Sequence, residues 1–260
     1  MKGGIGGRVI SKFFLALRQS RWTVALFALS IQGVLLPAAS ATTLTVPGDA
    51  NIFGAGHATP PGGAGAGELP SEFNFGFTAG SGLVLIFSSV TGSVIVDSGS
   101  GNHVNDPDGV GSASGINVNS FGGISGTVAP TAGFLAGVFL GPSEPTDPAP
   151  LRLDFTMIGT SFTSLSPQLD QVFFIGDGLT GDGSGSLQQF NVPVGATRLV
   201  LGIVDAPGYN GDPGGYADNT GSFSASFNVN VVPEPPVSVL LFGGAGVIGL
   251  LVRRVRTVRN

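Results

Sequence analysis

Residues 222–231 (SFSASFNVNV) alternate apolar and polar side chains without a break. Phe223, Ala225, Phe227, Val229 and Val231 fall on one side, and Ser224, Ser226, Asn228 and Asn230 on the other. Successive side chains of a strand point to opposite faces, so the segment predicts a strand with one packed and one wet face. A strand of that kind needs neighbours, and the rest of the chain supplies candidates for them. Short runs rich in Val, Phe, Ile and Thr are separated by clusters of Gly, Pro, Asp and Ser, the punctuation of strands and turns. Residues 198–204 (RLVLGIV) are almost wholly apolar, as a central strand requires. Further strands are expected at 83–87, 134–140, 171–175 and 187–192, with weaker ones at 73–77, 93–96 and 151–156. Residues 43–46 lead in as an edge strand.

No helix of useful length is visible between residues 42 and 231. About eight to ten short strands in a stretch of that size predict an all-β fold, a β-sandwich in one domain over 42–231. The absence of a clean internal repeat argues against a propeller or a β-helix. Glycine is abundant, 44 residues of 260, but follows no three-residue period, which excludes collagen. With 42% hydrophobic residues and 19 Phe the chain is too apolar for a disordered one. The Gly/Pro stretches 54–67 and 141–150 read as loops. There is no cysteine, so the core, or a bound metal, must hold the fold.

Charge divides the chain in three. Of the 11 Lys and Arg, only Arg152 and Arg198 lie within residues 42–232, against 15 acidic residues there. The remainder sit at the ends, and no basic patch in the middle suits nucleic acid, which is not an expected partner. At the N-terminus a basic leader precedes an apolar run, 24–36, then Pro37 and Ala39-Ser40-Ala41. Small residues at Ala39 and Ala41 suit signal peptidase, so residues 1–41 read as a signal peptide cut after Ala41. At the C-terminus, residues 232–260, Pro233-Glu234-Pro235-Pro236 is followed by an apolar stretch, 237–252, and then Arg253-Arg254-Val255-Arg256. Sixteen helical residues reach roughly 24 Å, short of a ~30 Å hydrocarbon core. The arginines would stay cytoplasmic, and the short, glycine-rich transmembrane helix suits a transient rather than a permanent membrane anchor.

A Pro-bracketed acid, a thin glycine-rich helix and a terminal Arg cluster, in that order, resemble the PEP-CTERM sorting signal of Gram-negative bacteria. The resemblance implies an exosortase at the inner membrane as processing partner, acting near Pro233, Glu234 and Pro235. It further implies a secreted protein of the cell surface or extracellular matrix, in a biofilm or exopolysaccharide setting.

No nucleophile elbow, zinc-protease signature or phosphate loop is present, and the two histidines, His57 and His103, fall in polar loops. Nothing points to an enzyme, and no catalytic residue is expected. The concentrated signal is the loop between the two best strands, from Asp205 through Tyr209, Asp212, Gly215, Tyr216, Asp218 and Asn219 to Phe223. Ca²⁺ takes six to eight oxygens from carboxylates, amides and backbone carbonyls, the groups this loop offers. The same residues are also the standard choice for a plain turn.

An Asp closing a buried strand, a Pro-Gly turn, and then Asp218-Asn219-Thr220-Gly221-Ser222-Phe223 resemble the calcium-dependent galactophilic lectins of the LecA type. Residues 192–199 (VPVGATRL) fit that family's approach to the site. The resemblance covers about residues 190–231 and implies a β-sandwich holding one Ca²⁺ whose shell sugar hydroxyls complete. Carried over, Asp205 is the carboxylate ligand, Asp218 and Asn219 the paired side chains, and Gly215 a carbonyl ligand. A further carbonyl is expected from an earlier loop around 89–93. The loop is longer than in those lectins, and Asp218 replaces an amide, adding a charge that should tighten Ca²⁺. Their sugar-contacting His and Gln are not matched; residues 105–109 laid over that region put Asp106 and Gly109 there.

Two further acidic spots, Asp177/Asp182 and Asp106/Asp108, read as Asp-Gly turns with a secondary claim to calcium. Two functions compete. One is a calcium-binding, lectin-like module that binds carbohydrate, with Tyr209 and Tyr216, the chain's only tyrosines, as the platform for a sugar ring. The other is a structural matrix protein with no specific sugar ligand.

Overall fold

A computed structural model describes residues 41–96, 103–110 and 114–231. Among them the fold is all-β, in several sheets, with one single-turn α-helix at Phe155–Ile158 and four short 3-10 turns. No helix among the described residues is long and apolar enough to cross a membrane. The apolar stretch 237–252, residues 1–40 of the expected signal peptide and the processing residues Ala39, Pro233, Glu234 and Pro235 lie outside the described residues.

The largest sheet runs in the order Thr42–Pro47, Thr220–Val231, Leu83–Val96, Gln189–Asn191, Ser164–Leu165, with His103–Asn105 also paired to Leu83–Val96. The alternating segment sits inside it. Phe223, Ala225 and Phe227 are buried while Ser224 is exposed, and the pattern relaxes to an exposed Val231 at the end. Its partner is a single 14-residue strand, Leu83–Val96, where the sequence suggested two. A bulge at Ser88 lets it keep pairing, the register skipping from Ser226↔Ser89 to Phe227↔Phe87. Gly92 makes this pairing possible: its φ is +109°, and any Cβ there would run into the Ser222 carbonyl oxygen.

The second sheet runs Phe173–Phe174, Leu135–Leu140, Arg198–Ile203, Ser71–Asn74. Arg198–Ile203 is flanked on both sides, and Leu199 through Ile203 are buried, which is why that run is apolar throughout. A third sheet (Asn210–Gly211, Ser114–Val118, Thr127–Thr131, Leu153–Asp154) and the hairpin of Leu179–Gly181 with Ser184–Leu187 complete the set. The strand expected at 151–156 gives way after Asp154 to the helical turn, because the Asp154 carboxylate accepts from the Thr156 N–H and caps it.

Aromatic rings join the two main sheets. Phe190 meets Phe173 at 5.3 Å between ring centres, and Phe227 meets Phe73 edge-on at the same separation. Among the described residues ten phenylalanines are fully buried. Each contributes about 1.5–3 kcal/mol by leaving water, so the core holds the domain without disulfides.

Candidate functional site

Asp205 follows directly on the central strand, and a buried tyrosine holds it there. The Tyr216 hydroxyl accepts from the Asp205 N–H at 2.9 Å and donates to the Ile203 carbonyl, also at 2.9 Å. Tyr216 is fully buried. Burial, and next the charge of Asp205, push its phenol well above the usual range, so it is neutral at every relevant pH. Its ring therefore has no open face for a sugar. The expectation of Tyr216 as a platform is corrected on this point: a tyrosine in a polar loop has been drawn into the core because its hydroxyl satisfies two backbone groups.

Asp205 is 4% exposed and Asn219 is 6% exposed. One Asp205 oxygen accepts from the Ala206 N–H at 2.8 Å, the other from the Asn219 amide at 2.9 Å. The same amide nitrogen also donates to the Gly48 carbonyl at 3.2 Å. With both amide protons committed, the Asn219 carbonyl oxygen is buried with no hydrogen-bond partner. A buried acceptor left so costs about 1–3 kcal/mol unless a ligand takes it up.

A cavity of about 320 Å³ opens beside these groups, lined by Asp205, Ala206, Pro207, Gly208, Tyr209, Gly215 and Asp218. Gly215 has φ +84°, and its missing Cβ would lie 3.8 Å from the Asp205 carboxyl carbon. The structure thus brings Asp205, Gly215 and Asp218 to one cavity, with Asn219 hydrogen-bonded to Asp205. Tyr209 stands in its wall at φ +60°, a left-handed conformation that costs a non-glycine residue about 1 kcal/mol or more. Asp212 points elsewhere and accepts from Asn119 at 2.9 Å. Residues 89–93 do not form an adjacent loop; they lie within the long strand, paired along residues 222–226. The early segment that reaches the site is Gly48, which the sequence reading missed; no motif marks a lone backbone carbonyl.

A second acidic locus assembles from parts far apart in sequence. Oxygens of Asp108, Asp177 and Asp182 lie within 4.8 Å of one another, and this triad could hold a metal ion. Asp177 accepts from the Leu179 N–H at 2.8 Å and from the Gly183 N–H at 2.7 Å, locking the hairpin turn. Asp108 has one carboxylate oxygen buried with no hydrogen-bond partner, and its other oxygen lies where a Cβ of Gly176 would be. Burial, and then the charge of Asp177, raise its carboxyl to about 7. Asp106 belongs here as well: burial first, with Asp182 and Asp177 adding to it, raises its carboxyl above the usual range. Its side chain caps the turn by accepting from the Val110 N–H at 2.9 Å.

Of the histidines, His57 hydrogen-bonds Glu144 at 3.0 Å and His103 lies in a short strand. Comparisons with protein-family models, curated proteins and solved structures return no match.

Proposed function

We propose that this chain is an exported surface or matrix protein whose β-sandwich binds one Ca²⁺ at Asp205, Gly215, Asp218 and Asn219 and holds polysaccharide through it. The observation that carries the reading is the buried Asp205–Asn219 pair, in which the Asn219 carbonyl oxygen is unsatisfied and Asp205 lines an open cavity. An oxygen-only donor set with two carboxylates suits Ca²⁺ and offers nothing to a softer metal. The cavity, about 320 Å³, falls within the range of small-ligand sites. The shared aromatic core of the two main sheets supports the sandwich architecture. Calcium-dependent melting of the mature protein, followed by a glycan array with and without EDTA, tests it; an array with no calcium-dependent signal would contradict the sugar-binding half.

The burial of Tyr216 favours a second reading, since it leaves Tyr209 as the one tyrosine at the cavity. In that reading calcium only stiffens the last strands of a structural matrix protein. Calcium stabilisation together with a blank array is its signature. In both readings the signals resembling a signal peptide and a PEP-CTERM tail are removed, so the mature chain runs from Thr42 to near Pro233. Intact-mass analysis of the surface fraction should find that species; an unprocessed C-terminus there would contradict it.

A further inference from the structure

Residues 75–79 follow directly on Ser71–Asn74, an outer strand of the second sheet. Backbone hydrogen bonds tie both ends of this short segment to the turn before Arg198–Ile203. The Phe75 N–H donates to the Thr197 carbonyl at 2.9 Å and the Ala79 N–H to the Ala196 carbonyl at 2.7 Å. The Gly195 N–H returns a bond to the Ala79 carbonyl at 2.9 Å. Between the tied ends Gly76 takes φ +74°, a turn that costs glycine nothing, and Phe77 is put out into solvent.

Phe77 is 49% exposed, yet its ring is held in place. It stacks on Phe75 at 5.7 Å between ring centres, with 20° between the planes. Phe75 in turn meets Phe73 at 5.9 Å and the core ring of Phe139 at 6.5 Å. One face of Phe77 is thus packed, and the other face and the edge are what it shows to water. A rigid aromatic of this kind gives contact area at little cost in conformational entropy.

The ring lines an open hollow of about 480 Å³, within the ~300–1,000 Å³ of small-ligand sites. Asn74 and Thr78, both exposed, stand in the same hollow. The Asn74 carbonyl oxygen accepts from the Gly76 N–H at 2.8 Å, which orients the amide and leaves its NH₂ group to donate outward. Thr78 adds a hydroxyl that both donates and accepts. Arg198 reaches the hollow without a free charge: it pairs with Glu72 at 3.1 Å and donates to the carbonyls of Gly141 at 2.9 Å and Ser143 at 3.2 Å. No carboxylate is among the described residues that line it. An anion would find no open cation here, and a wholly apolar ligand would leave the amide and hydroxyl unused. A pyranose ring has C–H groups on one face and hydroxyls around its rim, and it matches both halves.

We propose that this hollow is a second carbohydrate subsite, seating a neutral pyranose with its C–H face on Phe77 and its hydroxyls on Asn74 and Thr78, without calcium. The ligand class rests on the polysaccharide reading above. The site itself shares no residue with the calcium cavity.

Calorimetric titration of the full-length chain in lipid nanodiscs tests it. The probes are cellohexaose, mannohexaose and galactohexaose, with an alginate hexamer as the acidic counterpart, each in EDTA and in Ca²⁺. At least one neutral hexamer should bind in EDTA. Phe77→Leu, which stays apolar but loses the ring, should weaken that binding about tenfold, and Phe77→Trp should keep it within about threefold. Binding in EDTA with nothing added by Ca²⁺ would uphold this subsite and count against sugar binding at Asp205. Binding seen only with Ca²⁺ belongs to the Asp205 cavity and would overturn the subsite alone. No binding to any neutral hexamer, tighter binding of alginate, or affinity unchanged in Phe77→Leu would overturn it as well. So would self-association that Phe77→Leu dissolves, which would give the ring to a second copy.

Discussion

Asp205 and Asp108 are both acids set against the core, and they are treated in opposite ways. Asp205 is the more deeply buried, yet each of its oxygens accepts a hydrogen bond from a neutral donor. Asp108 is less buried, faces two other carboxylates and has an oxygen with no hydrogen-bond partner. The difference shows what holds a buried charge. Amide donors satisfy a carboxylate while leaving about two of its lone-pair positions open for a cation. Crowded carboxylates instead oppose one another until a proton or a cation arrives. The first locus holds its carboxylate by hydrogen bonds from neutral donors; the second answers to neutralisation of any kind.

The sharpest way to break this comparison is to remove what holds the first locus. Tyr216→Phe keeps the ring but leaves the Ile203 carbonyl and the Asp205 N–H unsatisfied. It should cost about 2–4 kcal/mol in urea unfolding, whereas Asp182→Asn, at an exposed position, should stay within about 0.5 kcal/mol. Equal losses would show that Tyr216 does not organise the loop.

A smaller effect should appear with pH at the second locus. The folded-state pKa of Asp108, about 7, stands above its unfolded value, so the folded protein binds the extra proton between about pH 4 and 7. Stability from this group is therefore present in full below about pH 4 and is lost as pH rises through 7. Asp106, raised in the same direction, adds to the slope. Asp108→Asn should stabilise the metal-free protein by about 2 kcal/mol at pH 8, allowing for partial exposure, and by nothing at pH 3.5. A variant that melts like the parent at both pH values would contradict the crowding.

The smallest effect belongs to Asp218, at the exposed side of the cavity. Asp218→Asn should weaken Ca²⁺ binding only about three- to tenfold, and less at high salt, leaving the metal-free stability unchanged. Calorimetric titration at two salt concentrations checks this.

The two loci also differ in how far the sequence reveals them. The Asp205–Asn219 loop is contiguous and bracketed by the two clearest strands, so its oxygen donors can be read in order. The members of the triad are legible as two Asp-Gly turns with a secondary claim to calcium, but their assembly is not, because Asp108 and Asp177 meet only once the intervening strands have paired. The alternation around Phe223, Ala225 and Phe227 carries over to the structure residue by residue. Short strands such as Ser164–Leu165 and Asn210–Gly211 leave no mark, since two residues cannot show a period. Tyr216 misleads for a related reason. Its neighbours are polar and glycine-rich, and only the folded backbone shows two groups waiting for a hydroxyl.

The central claim is that calcium acts at Asp205 and not merely on an acidic domain. With 15 acids against two bases in residues 42–232, cations are drawn everywhere, so binding alone decides little. Melting curves with Ca²⁺ at 100 times Kd, against EDTA, on the parent protein, Asp205→Asn and Asp108→Asn decide it. The parent and Asp108→Asn should each gain roughly 2.7 kcal/mol with calcium, and Asp205→Asn close to none. A full calcium gain in Asp205→Asn, lost instead in Asp108→Asn, would move the ion to the triad and contradict the account.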